Sequence, residues 1–149
     1  MHAMDIMRME SGFIHWGHDI SPEENQYEAG LKFAISYKKN INFIGKEALI
    51  KIKDKKLNKR FMMLVLKNNK PGEPLLLHDE PIYLDDKIIG RTTSGNYSFC
   101  YEKNLSFGYV NSGNSYETLK DQNIFIEIEK IKYPAEVIEK PLNNKNYKI

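Results

Sequence analysis

From about residue 60 onward the chain is built of short apolar runs broken by turn-forming residues, which restricts that stretch to a small all-β unit. Phe61 to Leu66, Pro81 to Leu84, Lys87 to Ser94, Leu105 to Val110, Asn123 to Glu129 and Ile131 to Ile138 each read as strands. Clusters of Asn, Gly, Asp and Pro separate them. Asp85-Asp86, between Tyr83-Leu84 and Lys87-Ile88, has the shape of a tight hairpin turn. About six strands in roughly ninety residues predict a small antiparallel barrel or sandwich.

The first part of the chain follows a different period. Ala3 to Glu10 reads as a helix with Ile6 and Met9 spaced by three, stopped by Ser11-Gly12. Ser21-Pro22-Glu23-Glu24 carries an N-cap serine, a proline at the first helical position and a glutamate three after the cap, so a helical turn is expected there. Phe33 to Tyr37 is strand-like by composition. A second helix is expected from Gly45 to Lys56, with Ala48, Leu49 and Ile52 on one face and lysines on the other. These pieces make a ragged α/β segment and not a self-contained domain, so the chain divides into residues 1–58 and 59–149.

Composition narrows the function classes. The 149 residues, 41% hydrophobic, suffice for one domain or one domain with an appendage. No apolar run approaches the roughly 20 residues that cross a bilayer. Met1 to Asp5 lack the pattern of a secretory signal, so a soluble, cytoplasmic chain without a membrane partner is expected. Cys100 is the only cysteine, which excludes an internal disulfide and a multi-thiolate zinc site. A net charge of +2 is too small to argue for nucleic acid. The run Lys51, Lys53, Lys55, Lys56, Lys59 and Arg60 has the ordinary meaning of a solvated helix end, with a polyanion patch as the alternative.

Four motifs mark the first segment: Arg8-Met9-Glu10, His15-Trp16-Gly17-His18-Asp19-Ile20, Glu28-Ala29-Gly30-Leu31 and Phe43-Ile44-Gly45-Lys46-Glu47-Ala48-Leu49. The second carries Glu80-Pro81-Ile82-Tyr83, Ile89-Gly90-Arg91-Thr92-Thr93-Ser94-Gly95 and Phe107-Gly108-Tyr109-Val110. In this order they resemble the C-terminal part of the aminomethyltransferase, or glycine cleavage T-protein, family. The His15 to Ile20 and Phe43 to Leu49 forms are most similar to the folate domains of dimethylglycine and sarcosine dehydrogenases. The resemblance implies an α+β chain: the end of a folate-binding α/β domain followed by a small antiparallel β-barrel. It also implies tetrahydrofolate as cofactor.

By that resemblance Glu10 is the carboxylate that accepts paired hydrogen bonds from the pterin. Its ordinary alternative is a solvent-facing helix carboxylate. Arg8 is expected to be a structural ion-pair partner. Trp16 could stack on a flat heterocycle, or pack the seam between the first segment and the barrel. Lys38 and Lys39 stand near the place where the family carries basic residues close to the folate tail. His15 and His18 lack a third ligand besides Asp19, so no metal site is expected. The family's catalytic aspartate belongs to a region that would precede Met1, and no G-x-G-x-x-G dinucleotide loop occurs, so no catalytic residue is assigned.

Three functions follow as expectations. The first is the C-terminal portion of a folate-dependent aminomethyltransferase, contributing one wall of the folate site when joined to a folate or dehydrogenase domain. The second is a freestanding small-ligand or protein-binding barrel without enzyme activity. The third, a nucleic-acid-binding barrel, rests only on small size and lysine. Ile6, Met9, Phe13, Trp16, Phe33 and Ile35 are expected to need cover from that missing domain or from self-association.

Overall fold

A computed structural model describes residues 2–37, 41–67, 70–111 and 113–139. Six strands, β1 (Lys59–Leu66), β2 (Pro81–Leu84), β3 (Lys87–Ser98), β4 (Lys103–Asn111), β5 (Ile124–Ile128) and β6 (Ile131–Ile138), close into a barrel in the order β1-β4-β3-β2-β5-β6. Every pairing is antiparallel. The expected strands are all present, β3 and β4 being longer than the sequence suggests. Asp85 sits at the β2–β3 turn with φ 51°, a left-handed conformation that aspartate tolerates better than most residues.

β1 explains why an uninterrupted apolar run can be a barrel strand. Met62, Leu64 and Leu66 join the interior cluster with Ile82, Ile126 and Val137. The alternate residues Met63 and Val65 belong to a second cluster with Leu105, Phe107 and Met9. Met9 comes from α1 (His2–Glu10), which lies across β3 and β4. Both faces of β1 are therefore buried, one by the barrel core and one by the helix. Leu76 from the β1–β2 connection and Leu119 of a short helix, α3 (Tyr116–Leu119), complete the interior.

The rest of the first segment wraps the barrel with little regular structure. The Phe61 N–H donates to the Glu28 carbonyl at 2.8 Å, fastening the segment to the start of β1. The second helix is shorter than expected and we term it α2 (Lys46–Ile52). Phe33 to Tyr37 does not form a strand: Lys32–Ala34 is a single 3₁₀ turn. Closure of the barrel leaves no open sheet edge to pair with, and the turn satisfies itself through Ala34 N–H to Leu31 C=O and Ile35 N–H to Lys32 C=O. β propensity without a partner strand was not enough.

The apolar residues expected to lack cover split into two groups. Met9 is 2% exposed and Ile6 packs beside it on the barrel. Phe13, Trp16 and Phe33 remain open, Met4 and Met7 of α1 join them, and Ile35 is half-buried between the two groups. Among the described residues no helix is long and apolar enough to cross a membrane.

Candidate functional site

The candidate site is the junction where α1 and the loop after it meet β3. Gly12, at φ 76°, ends α1 by donating its N–H to the Met9 carbonyl. His15 to Ile20 then forms a tight turn. The Gly17 N–H donates to Ile20 C=O and the Asp19 N–H to His15 C=O, each at 2.8 Å. This turn drives the Asp19 side chain into the protein, where it is 0% exposed.

Four groups donate to the buried carboxylate. Arg8 Nη1 reaches Oδ2 at 2.6 Å and the His15 N–H reaches the same oxygen at 2.8 Å. Thr93 Oγ1 and Ser94 Oγ reach Oδ1 at 2.6 and 2.7 Å. Consecutive strand residues normally point to opposite faces. Here the β3–β4 register shifts between Thr92 and Ser94, and that bulge lets two neighbouring hydroxyls converge on one carboxylate. Arg8 is shared in turn: Nη2 donates to Ser94 Oγ at 2.8 Å, Nη1 to the Phe13 carbonyl at 3.2 Å, and Nε to Asp5 at 3.3 Å. Its guanidinium carbon also lies 5.8 Å from the centre of the Phe107 ring. Arg8 is thus the ion-pair residue the sequence suggested, and its partner Asp19 is the residue sequence reasoning missed.

Glu10, two residues beyond Arg8 at the end of α1, is half-buried. Its Oε1 accepts from Ser98 Oγ at 2.5 Å and its backbone carbonyl from the Tyr101 hydroxyl at 3.3 Å. Ser98 ends β3 and Tyr101 lies in the β3–β4 turn, so the turn holds both the Glu10 carboxylate and its backbone. Trp16 is 66% exposed and packs no seam between the segment and the barrel. The tight turn spends its inward-facing position on Asp19 and leaves the indole outside. His15 and His18 stack across the same turn, ring centres 4.7 Å apart. No group of three or more His, Cys, Asp or Glu suited to a metal ion occurs among the described residues. Lys38 and Lys39 lie outside the described residues.

A six-stranded barrel carrying an N-terminal helix bolted to its outer face by a buried arginine–aspartate pair defines the class. Residues 59–143 match the glycine cleavage T-protein C-terminal barrel domain, and residues 1–39 match the GCVT N-terminal domain. The chain belongs to the glycine cleavage T-protein family. It is 36% identical over 141 residues to human mitochondrial dimethylglycine dehydrogenase, covering 95% of this chain and 16% of that protein. It is 35% identical over 139 residues to an aminomethyltransferase of Listeria innocua, covering 93% of this chain and 36% of the relative. The chain therefore spans only a minor part of either relative. The crystal structure of the glycine cleavage system aminomethyltransferase T from Bartonella henselae shares the fold, with a TM-score of 0.78 at 22% identity, covering 93% of this chain and 37% of that one.

Proposed function

We propose that the chain acts as the C-terminal portion of a tetrahydrofolate-dependent aminomethyltransferase, of the glycine cleavage T-protein or dimethylglycine dehydrogenase kind. It supplies one wall of the folate site and is not catalytic by itself. The observation that carries this reading is the two-faced N-terminal segment. Its inner side is fixed by Met9 and the Arg8–Asp19 pair, while Met4, Met7, Phe13 and Trp16 stay exposed on the outside. A segment so firmly held yet so apolar outward is half of an interface. The other half would be a folate or dehydrogenase domain, which is consistent with the much greater length of the relatives.

On this reading Glu10 carries the pterin contact. Ser98 occupies Oε1 and fixes the plane of the carboxylate, which suits an acceptor that must meet a flat, rigid donor edge. Trp16 lends a flat apolar face near the rim. Lys38 and Lys39 would draw the carboxylates of the folate tail. Tetrahydrofolate, when bound, provides the nitrogen that accepts the one-carbon unit; this chain's part is to bind and orient.

Glu10→Gln tests the assignment. The amide oxygen still accepts from Ser98, so folding is expected to be unchanged, while an amide N–H now faces ring donors. Loss of a charge-assisted bond worth about 1.5–3 kcal/mol should weaken tetrahydrofolate binding by the assembled protein about tenfold or more. Titration calorimetry on the complex with the folate domain reads this directly. Unchanged affinity would reduce Glu10 to a tether for the β3–β4 turn.

A further inference from the structure

The end of α1 is completed by the barrel and not by the helix itself. Glu10 is its last residue, and a carboxylate at a helix C-terminus works against the helix dipole. The carbonyls of Met7, Arg8 and Met9 accept from the N–H groups of Ser11, Phe13 and Gly12. The Glu10 carbonyl takes the Tyr101 hydroxyl instead, so a residue of the β3–β4 turn satisfies a helix-end acceptor. Tyr101 packs its ring beside Met9 and Phe107, which holds that hydroxyl in place.

The same turn fixes the direction of the bond to the carboxylate. Ser98 is 0% exposed, and its Oγ accepts the Tyr101 N–H at 3.1 Å. A serine hydroxyl has one hydrogen to give, and with its oxygen engaged by that amide the hydrogen goes to Glu10 Oε1. Burial of Ser98 keeps water from competing for it. A free glutamate side chain must be ordered when a ligand arrives, and that ordering weakens binding. Here it is done during folding. We propose that Ser98 and Tyr101 are positioning residues of the folate site: they touch no folate, and through them the β3–β4 turn of the barrel aims Glu10 at the pterin. This rests on the reading of Glu10 as the pterin contact.

The test is a double-mutant cycle read by tetrahydrofolate titration calorimetry on the protein assembled with its folate domain. Ser98→Ala and Tyr101→Phe are each measured alone and combined with Glu10→Gln. Ser98→Ala is expected to weaken binding about three- to tenfold while Glu10 is present, the scale of ordering one long side chain. In the Glu10→Gln background the same change should cost less than about twofold, because no aimed carboxylate is left to lose. Tyr101→Phe keeps the ring and removes only the hydroxyl, and it should show the same dependence on Glu10 with a smaller loss. If circular dichroism shows that Ser98→Ala does not fold, the Tyr101→Phe cycle decides alone. Native affinity in the folded variants would overturn the proposal, and so would an equal loss with and without Glu10, which marks a purely structural role. Glu10→Gln without effect would remove the pterin reading and this proposal together, whereas a weakened Glu10→Gln beside native-like Ser98→Ala and Tyr101→Phe would remove the positioning role alone.

Discussion

Asp19→Ala is expected to lower the unfolding free energy by about 3–5 kcal/mol, the cost of breaking a buried pair from one side. The loss is large because the carboxylate serves four donors at once. Arg8, 15% exposed, would keep its charge with only the more exposed Asp5, 3.3 Å from its Nε, to balance it. The Thr93 and Ser94 hydroxyls would lose their shared acceptor. The His15 to Ile20 turn would lose the bond that closes it onto its own N–H. Because the pair also bolts α1 to β3, limited proteolysis should release the N-terminal segment from the variant before the barrel unfolds. Urea unfolding followed by circular dichroism measures the cost. A difference below about 1 kcal/mol would place the interaction with ordinary surface pairs.

Gly90→Ala should be comparably damaging for a different reason. A Cβ built at Gly90 would lie 2.0 Å from the Tyr109 carbonyl oxygen and 2.9 Å from Val110 Cα. These are backbone atoms of the paired strand, so no side-chain rotation relieves the contact. β3 must separate from β4 where Gly90 pairs with Val110, and a closed barrel has no free edge to absorb the shift. A loss of at least about 3 kcal/mol is expected, at the upper end of overpacking penalties. Gly113→Ala is the control, since a methyl there meets nothing within 4 Å. Equal stability of the two variants in parallel urea titrations would contradict this account of the β3–β4 pairing.

The strands were legible because each depends on its own residues. Ile131 to Ile138 needs only alternation and a bounding turn to be read, and it is observed with those bounds. Phe61 to Leu66 was legible as a strand, but not as one buried on both faces, since that depends on Met9, more than fifty residues earlier. The same distance hid the Asp19 site. Its hydroxyl partners lie 74 and 75 positions away, and they converge only through a bulge in β3. Adjacent hydroxyls in Thr92-Thr93-Ser94, followed by Gly95, were the available signal. Phe33 to Tyr37 failed in the opposite way: local preference favoured a strand, and the closed topology denied it a neighbour. Trp16 invited an inward reading because large aromatics dominate interfaces, yet the turn gives the inward position to Asp19.

The central claim is that the N-terminal segment is fixed on its inner side and built to be covered on its outer side. Trp16, the single tryptophan, reports on that outer side. In the full chain at a concentration where sedimentation shows a monomer, its fluorescence should peak at the wavelength of a water-exposed indole and be quenched freely by acrylamide. A blue-shifted, poorly quenched Trp16 in that monomer would contradict the claim: the segment would be folded back on the barrel, and a freestanding binding module would become the better reading.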